Sequence, residues 1–557
     1  MEKIGRQGRS ELGVGGVMMV TAQADVILNN GTIYTLDSKG SIASSVAIKH
    51  GRVFALADES TVAELKGRNT EIIDLEGKWL FPGFVESHGH LLWIGEMRDQ
   101  VDVGDVDDIG KVEEKVAEKA AGLAEGQWIR GHSWSENQWG EEVFPDHRVL
   151  SQAAPNNPTL LTRRDGHSCW VNKRALEIAG IDANTPDPPG GKIVRDTSGH
   201  PTGILIDRAM ALVESCIPEP SEEETRRRFE IGRDECLRYG VTTFHEAWAD
   251  AKMVELFRRL DREKASRFRL YTMVDAADED LLQEWYERGP LITDHLIIRA
   301  IKLFVDGALG SRGALLFEDY ENDPGNRGIQ VLGEDDVFEH SMEALERGFQ
   351  VCTHAIGDRA NRIALNGYER ALKQFHSDGK SIENHRFRVE HAQLLSKEDI
   401  PRFAELGVVA SMQATHCTSD MAWIEDHVGS ARANERMSLW RSLLDSGAVI
   451  AGGSDTPIES TNPLYGIYAS ITRMNPDGLP AGGWVPEQRL TREEALRSYS
   501  ASAAYASFAE DEIGSLEVGK WADLVVLSRN IIKVPPEELL TTDVLLTMVG
   551  GKVVYRK

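Results

Sequence analysis

The sequence contains no long apolar run, few cysteines and no excess of positive charge. No stretch approaches the roughly 20 apolar residues that span a bilayer as a helix, so we expect neither a membrane-spanning segment nor a membrane partner. The five cysteines are scattered and never spaced as CxxC, which argues against a thiolate zinc site and a disulfide framework. The net charge of −27 argues against a nucleic-acid partner, because a phosphate backbone requires a basic face.

The N-terminus carries a weak resemblance to an export signal. Three basic residues precede an apolar stretch, residues 12–20, and the small-residue triplet Ala22-Gln23-Ala24 follows, which is the order found in signal peptides. Three glycines interrupt the apolar stretch, and acidic residues dilute the positive charge before it. We therefore predict a disordered tail over residues 1–23 and a cytoplasmic protein with reduced thiols, with export as the alternative.

Both ends of the remaining chain consist of short β-rich runs separated by turn residues. Residues 25–28 and 32–35 flank Asn29-Asn30-Gly31, and residues 544–549 and 553–555 flank Gly550-Gly551. Such runs indicate antiparallel strands, but neither end is large enough for a stable sheet alone. We predict that residues 24–80 and 510–557 combine into one small β-sandwich domain.

Between these ends the chain repeats one unit: a helical stretch stops at a glycine, and an apolar strand follows and ends in polar residues. Gly240 precedes a strand that ends at His245-Glu246, and Gly348 precedes a strand that ends at His354. Glycine stops a helix because it enters the left-handed conformation cheaply. Helices that alternate with strands predict a parallel α/β sheet. With functional groups at the strand ends over some 400 residues, the pattern favours a (β/α)8 TIM barrel over residues 81–509.

One part of this region is too long for a single barrel unit. About 140 residues separate the first barrel strand from the Gly240 unit, and tryptophan and proline are concentrated at residues 124–205. We predict an inserted lid subdomain there, whose aromatic residues either form its own core or face a substrate. No GxGxxG motif follows the first strand, which argues against a dinucleotide-binding sheet.

The strongest local signal is the pair His88 and His90 at the end of the stretch FPGFVESHGH. Residues two apart on a strand project from the same face, so the two imidazoles can chelate zinc or a similar ion. His354, His391 and Asp455 each follow or end another apolar run. Each taken alone could be a hydrogen-bonded structural residue, but together they predict a metal site at the barrel mouth.

Lys302 lies inside an apolar strand, where an amine is costly unless it is paired or modified. Two interpretations remain open from the residues alone. The lysine forms an ion pair with a neighbouring carboxylate, or it reacts with CO2 to a carbamate that can bridge two metal ions.

In the order HxH, Lys, His, His, Asp, the sequence resembles the amidohydrolase superfamily. More narrowly, it resembles the amidohydrolase 3 family, with YtcJ-like and N-substituted formamide deformylase-like members. The resemblance runs from about residue 24 to the end. Additional motifs that support it lie at residues 302–312, 353–358, 390–392 and 513–524. These motifs are specific for the family and not for a substrate.

The resemblance implies a role for each metal-site residue. His88, His90 and Asp455 would hold the more buried ion, His354 and His391 the second, and carbamylated Lys302 would bridge them. One or two divalent ions are implied, with zinc as the first expectation, although Mn, Fe and Co suit the same ligands. Cations lower the pKa of a shared water towards neutrality, and Asp455 would act as general acid and base.

The implied activity is hydrolysis of a carbon–nitrogen bond in a small non-peptide amide, formamide or cyclic amide. Ester, lactone or phosphotriester hydrolysis on the same site is the alternative, and a non-catalytic scaffold is a third reading. The family often forms dimers, so a homodimer is also implied. Five residues are expected to contact the substrate, each with loop hydrogen bonding or packing as its alternative: His167, Arg312, His416, Trp93 and Trp134.

Overall fold

A computed structural model describes residues 23–135, 139, 144–163, 168–188, 191–380, 382 and 384–557. The predicted tail lies outside the described residues apart from Gln23. Among the described helices, none combines the length and apolar character required to cross a membrane.

The strands have the following bounds in chain order: β1 Val26–Asn29, β2 Thr32–Tyr34, β3 Ile42–Ala43, β4 Ser45–Lys49, β5 Arg52–Ala57, β6 Glu71–Asp74, β7 Trp79–Pro82, β8 Phe84–Gly89, β9 Val101–Asp102, β10 Ile129–Trp134, β11 Thr159–Arg163, β12 Ser168–Val171, β13 Gly191–Arg195, β14 Pro201–Asp207, β15 Val241–Ala249, β16 Arg269–Asp275, β17 Leu291–Ile292, β18 Leu296–Phe304, β19 Gln350–Ala355, β20 Arg388–His391, β21 Val409–Gln413, β22 Val449–Gly453, β23 Leu524–Leu527, β24 Val544–Val549 and β25 Lys552–Arg556.

The helices have the following bounds: α1 Glu59–Ala63, α2 Leu91–Asp99, α3 Ile109–Ala121, α4 His147–Ala153, α5 Lys173–Ile178, α6 Ala211–Glu214, α7 Glu222–Arg238, α8 Ala251–Arg262, α9 Glu279–Arg288, α10 Glu334–Arg347, α11 Asp358–Ser377, α12 Ile400–Leu406, α13 Ala414–Asp420, α14 Ile424–Val428, α15 Ser430–Arg436, α16 Trp440–Asp445, α17 Pro463–Thr472, α18 Arg492–Ser498 and α19 Ala501–Ala506. Short 3-10 helices span Pro486–Gln488 and Pro536–Leu539.

Eight parallel strands form a nearly closed barrel. Their order around the sheet is β8, β15, β16, β18, β19, β20, β21 and β22. The last strand returns to the first, where the Asp455 amide donates to the His88 carbonyl at 2.8 Å and Gly89 forms a parallel bridge with Thr456. The predicted parallel barrel is therefore confirmed.

The glycines that the sequence analysis predicted to end helices do lie at helix ends. Gly348 follows α10 and Gly407 follows α12, both in the left-handed conformation with φ of 78° and 67°. The strands that follow them, β19 and β21, are buried and apolar. A run of buried apolar residues on both faces is what a parallel sheet covered by helices requires.

Strands from the two termini share sheets and a core. One sheet has the order β5-β4-β1-β6, and the other, β25-β24-β23-β7-β2-β3, joins strands from both ends of the chain. Leu28, Val46 and Leu80 pack with Leu524 and Met548 in a single buried cluster. This arrangement is consistent with a composite β-domain, and the division at residues 24–80 and 510–557 stays a prediction.

A third sheet lies between the first two barrel strands in sequence. Its order is β13-β14-β12-β11-β10-β9, so it begins at Val101, upstream of the predicted insertion at 124–205. Its core contains Trp134, Trp170, Ile204 and other buried residues of the same segment. A lid role for this segment stays a prediction.

Candidate metal centre

The residues expected to bind metal lie at the carboxyl ends of the barrel strands, the edge at which TIM barrels carry their active sites. They are His88 in β8 and His90 directly after it, Lys302 in β18, His354 in β19, His391 at the end of β20, and Asp455 two residues after β22. The structure thus brings to one end of the barrel six residues that are dispersed over the sequence.

Three of these residues form the tightest cluster. Ligand atoms of His88, His391 and Asp455 all lie within 4.8 Å of one another, and the three residues are buried. Asp455 Oδ1 lies 3.3 Å from His90 Nε2 and 3.6 Å from His88 Nε2. A carboxylate oxygen and three imidazole nitrogens therefore converge on one small volume.

The close approach of the first and last barrel strands depends on a glycine. A Cβ atom on Gly453 would lie 2.5 Å from Glu86 Oε1 and 2.9 Å from the His88 amide nitrogen. Glu86 fills this space, because it accepts from the amides of His88 and Ser454 at 3.0 and 2.9 Å and from the Ser454 hydroxyl at 2.7 Å. Burial raises the pKa of Glu86 to about 7.

His354 stands at the side of the cluster. Its ring centroid lies 4.5 Å from that of His391, while its Nε2 faces Asp306 Oδ1 at 3.5 Å. Asp306 is held by the amides of Leu315, Ile356 and Gly357 at 2.8 to 3.0 Å. The loops after β18 and β19 are thereby fixed next to the ring of His354.

Lys302 is 2% exposed and points along the barrel interior. Its Nζ lies 4.9 Å from the centroid of the Phe304 ring, and among the described residues it has no hydrogen-bond or ion-pair partner. Burial lowers the pKa of the amine. Glu390 and Asp455 oppose this effect of burial, but no carboxylate of the described residues lies within ion-pair distance of the amine.

Burial lowers the pKa of three histidines at the site. It lowers the pKa of His88 to about 4 and that of His354 to about 3, and it holds the pKa of His391 well below its usual range. Burial would raise the pKa of Asp455, but the close imidazole of His90 and the neighbouring imidazoles hold it well below its usual range. At His90 burial would lower the pKa, but Asp455 and Glu246 raise it. At His88, His354 and His391 the neutral imidazole is favoured, and this is the protonation state in which histidine binds metal.

The backbone is strained at two of the three clustered residues. His391 has φ of 73° and Asp455 has φ of 58°, in the left-handed region that non-glycine residues rarely occupy. Such residues cost of order 1–3 kcal/mol each and concentrate at functional sites. Both lie just where a strand ends, so the strain turns their side chains towards the cluster.

The donor set fits a divalent cation. Asp455 Oδ1 is buried and has no hydrogen-bond partner among the described residues, and an unpaired buried carboxylate oxygen is costly. Imidazole nitrogens and carboxylate oxygens are ligands that zinc and related ions accept. A cation between His88, His391 and Asp455 would satisfy this oxygen.

A model of the amidohydrolase family matches residues 71–555. The chain belongs to the amidohydrolase family. The YtcJ protein of Bacillus subtilis is 31% identical to it over 537 residues, which cover 95% of this chain and 99% of that protein. N-substituted formamide deformylase of Arthrobacter pascens is 29% identical over 560 residues, with 97% and 99% of the two chains covered. The family and the enzyme class predicted from the sequence are confirmed.

A solved structure supports the same assignment. The crystal structure of an uncharacterized metal-dependent hydrolase from Pyrococcus furiosus superposes on this amidohydrolase with a TM-score of 0.76 and 30% sequence identity. The match covers 91% of this chain and 100% of that chain. The similarity therefore extends over most of this chain.

The residues expected to contact substrate are dispersed in this amidohydrolase. Trp93 is 40% exposed and stacks on His90, with centroids 4.1 Å apart, and His416 Nε2 lies 3.8 Å from Asp455 Oδ2. Arg312 instead donates to Asn322 at 3.0 Å. Trp134 is fully buried, and its indole N–H donates to the Leu161 carbonyl at 2.8 Å, which favours the packing alternative. His167 lies outside the described residues.

Three acidic residues at the site were not predicted from the sequence. Glu390 Oε2 lies 2.5 Å from His88 Nδ1, Glu246 Oε1 lies 3.6 Å from His90 Nδ1, and Glu86 links β8 to Ser454 as described above. Each had a local signal: Glu390 directly precedes His391, Glu246 ends a strand, and Glu86 lies two residues before His88 on the same face. Strand spacing alone did not show which histidine each carboxylate would meet.

Proposed function

We propose that this chain is a metal-dependent hydrolase that cleaves a carbon–nitrogen bond in a small non-peptide amide, formamide or cyclic amide. The observation that carries the proposal is the convergence of His88, His391 and Asp455 within 4.8 Å at the barrel mouth. A relative named N-substituted formamide deformylase, 29% identical over nearly the whole chain, supports the choice of a carbon–nitrogen bond.

The proposed ligand set follows the geometry. His88, His90, His391 and Asp455 would hold one divalent ion, with zinc as the first expectation, and His354 would join a second site. Lys302 would contribute as a carbamate: its neutral amine attacks CO2, a nitrogen–carbon bond forms, one proton is released, and an anionic oxygen ligand results. The lack of an ion-pair partner for Lys302 among the described residues favours this modification over the alternative.

Asp455 is proposed as the general acid and base. A bound divalent cation would supply Lewis acidity, which lowers the pKa of water and polarises a carbonyl. With Oδ1 bound to the cation, the second oxygen of Asp455, Oδ2, which lies 3.8 Å from His416 Nε2, would accept the proton of the attacking water. The carboxyl group would then return that proton to the departing nitrogen, because an amine leaves far more readily than its anion.

The substrate would enter beside Trp93 and His416. The exposed face of Trp93 is available to an apolar group, and His416 Nε2 is buried without a hydrogen-bond partner among the described residues. An imidazole N–H at this position can donate to a carbonyl oxygen. A small molecule with one amide carbonyl and an apolar substituent fits both groups.

The proposal is tested with protein reconstituted with zinc, manganese or cobalt and a panel of N-formyl amines, N-acyl amines, cyclic amides, lactones and one phosphotriester. We expect turnover of at least one carbon–nitrogen substrate that is abolished by chelation. Metal-loaded protein that cleaves a lactone or the phosphotriester and none of the amides would overturn the carbon–nitrogen assignment.

A further inference from the structure

We infer that Glu390, held by Arg388, is a positioning residue that orients His88 and strengthens it as a metal ligand. The inference rests on the proposed function, because it assigns a partner to a residue proposed to bind metal. It is supported by a continuous series of contacts in the barrel interior, from Arg388 and Glu390 in β20 to the ring of His88.

The first contact fixes the ring of His88. Its Nδ1 lies 2.5 Å from Glu390 Oε2, and both side chains are at most 1% exposed. A carboxylate held by a guanidinium accepts hydrogen bonds only, so the proton lies on Nδ1 and the lone pair on Nε2. That Nε2 is the atom 3.6 Å from Asp455 Oδ1.

The second contact fixes Glu390. Arg388 Nε lies 2.7 Å from Glu390 Oε1, and Arg388 Nη2 donates to Oε2 at 3.1 Å. The two residues are two apart on β20 and therefore project into the same interior space. Both side chains are fully buried, so each charge is compensated by the other.

The third set of contacts fixes Arg388 itself. Its Nη2 donates to the Ser87 carbonyl at 2.6 Å and to the Ser411 hydroxyl at 2.9 Å, and its Nη1 donates to His245 Nδ1 at 3.1 Å. None of these acceptors carries a negative charge. Among the described residues, Glu390 is therefore the one carboxylate within hydrogen-bond distance of Arg388.

The Nδ1 atoms of His391 and His90 have weaker hydrogen-bond acceptors than the Nδ1 atom of His88. His391 Nδ1 meets the neutral amide oxygen of Gln413 at 2.8 Å, and His90 Nδ1 lies 3.6 Å from Glu246, too far for a hydrogen bond. A negative charge on the outer nitrogen makes an imidazole a more basic ligand. Of His88, His90 and His391, His88 is thus the histidine whose metal-binding nitrogen is most strongly oriented and most electron-rich.

The test measures metal affinity in folded protein by competition with a chelator. We expect Glu390→Gln, which keeps the shape and loses the charge, to weaken metal binding about 10-fold, and Glu390→Leu, which also loses the hydrogen bond, to weaken it about 100-fold. Glu510→Gln serves as the matched control, because Glu510 also pairs with an arginine, Arg386, which lies two residues before β20 and outside the site, and it should leave the affinity unchanged.

A double-mutant cycle tests whether Glu390 acts through His88. In a His88→Ala background, Glu390→Gln should change metal affinity by less than twofold, whereas an undiminished 10-fold loss would overturn the inference. Because Glu390→Gln leaves a buried cation, the variant Arg388→Met/Glu390→Gln is measured as well. This double variant should unfold at the wild-type temperature and still bind metal about 10-fold more weakly, and wild-type affinity would contradict the positioning role.

The two proposals fail in different ways. If the wild-type chain binds no divalent metal, the proposed function fails. If the wild type binds metal and hydrolyses an amide while the Glu390 variants keep wild-type affinity, only the positioning role fails. The visible absorption spectrum of the cobalt-substituted protein gives a second readout, since a reoriented His88 changes the ligand field and a purely structural role would not.

Discussion

Asp455 Oδ1 lies 3.3 Å from His90 Nε2 and has no hydrogen-bond partner among the described residues. This oxygen is thus positioned beside the histidines proposed as ligands and is available to a cation, which leaves Oδ2 of the same carboxylate to move the proton. Its position follows from the strained backbone at Asp455, where φ is 58°, directly after the last barrel strand.

Replacing Asp455 by asparagine should separate metal binding from catalysis. The amide keeps one oxygen as a ligand but cannot accept a proton, so we expect kcat to fall about 10²- to 10⁴-fold while bound metal changes little. Kinetics are compared with metal content by elemental analysis on the same sample. Retained turnover would contradict the acid–base role of Asp455.

Metal removal should lower stability as well as activity. A ligand that binds only the folded state stabilises it by about 2.7 kcal/mol at 100 times its Kd. Dialysis against a chelator should therefore lower the melting temperature, and added zinc should restore it. An unchanged melting temperature on addition of zinc would show that the His88, His391 and Asp455 cluster does not bind the ion.

Lys302 should determine how many metals bind. Lys302→Ala and Lys302→Arg remove the amine that forms the carbamate, so we expect two ions per chain in the wild type and one in the variants. A ¹³C-bicarbonate label should give a carbamate signal in the wild type that is absent from Lys302→Arg and present in the exposed control Lys397→Arg. Two ions in either variant would contradict the bridging role.

Two tryptophans should respond in different ways. Trp93→Ala removes an exposed ring stacked on His90, and we expect KM to rise roughly fivefold, about 1 kcal/mol, with little loss of stability. Trp134→Ala leaves a cavity in a buried core and should cost about 3–5 kcal/mol of stability. Denaturant unfolding and steady-state kinetics distinguish them, and an unaffected KM in Trp93→Ala would remove it from the substrate site.

The metal-free protein should lose stability below neutral pH in a way that depends on His354. Its pKa is about 3 in the folded state because of burial, against about 6.5 in an unfolded chain. The unfolded state therefore binds the proton first, so this stability is fully present above pH 6.5 and is lost as the pH falls towards 3. His354→Gln should flatten the pH dependence of unfolding over that window, and the exposed control His50→Gln should not.

The barrel and its histidines were accessible from the sequence because they depend on local signals. A glycine such as Gly348 stops a helix wherever it lies, and an apolar strand after it ends at His354 whichever strand is its neighbour. The partners of the histidines depend on which strands lie side by side. Glu246 reaches the region of His90 because β15 lies beside β8, and Glu390 of β20 reaches His88 across the interior of the barrel.

Trp134 illustrates the same difference between what local sequence shows and what depends on the assembled fold. Its residue type and its position in an aromatic-rich segment are equally compatible with a substrate wall and with a core. Its burial is decided by Trp170 and Ile204, which come from later strands of the same sheet. Burial of a tryptophan is a property of the assembled sheet and cannot be read from its neighbours in sequence.

The contact between β8 and β22, the first and last barrel strands, determines when during synthesis the site of this enzyme can be completed. His88 and His90 are made early in synthesis, whereas Asp455 follows the last barrel strand, and the Asp455 amide reaches the His88 carbonyl only across this contact. A chain that has not yet reached β22 already contains His88, His90, His354 and His391 but lacks the carboxylate of Asp455. With the proposed ligand set, firm binding of the metal would require completion of the barrel, because an incompletely made chain lacks both the Asp455 ligand and the proposed proton acceptor.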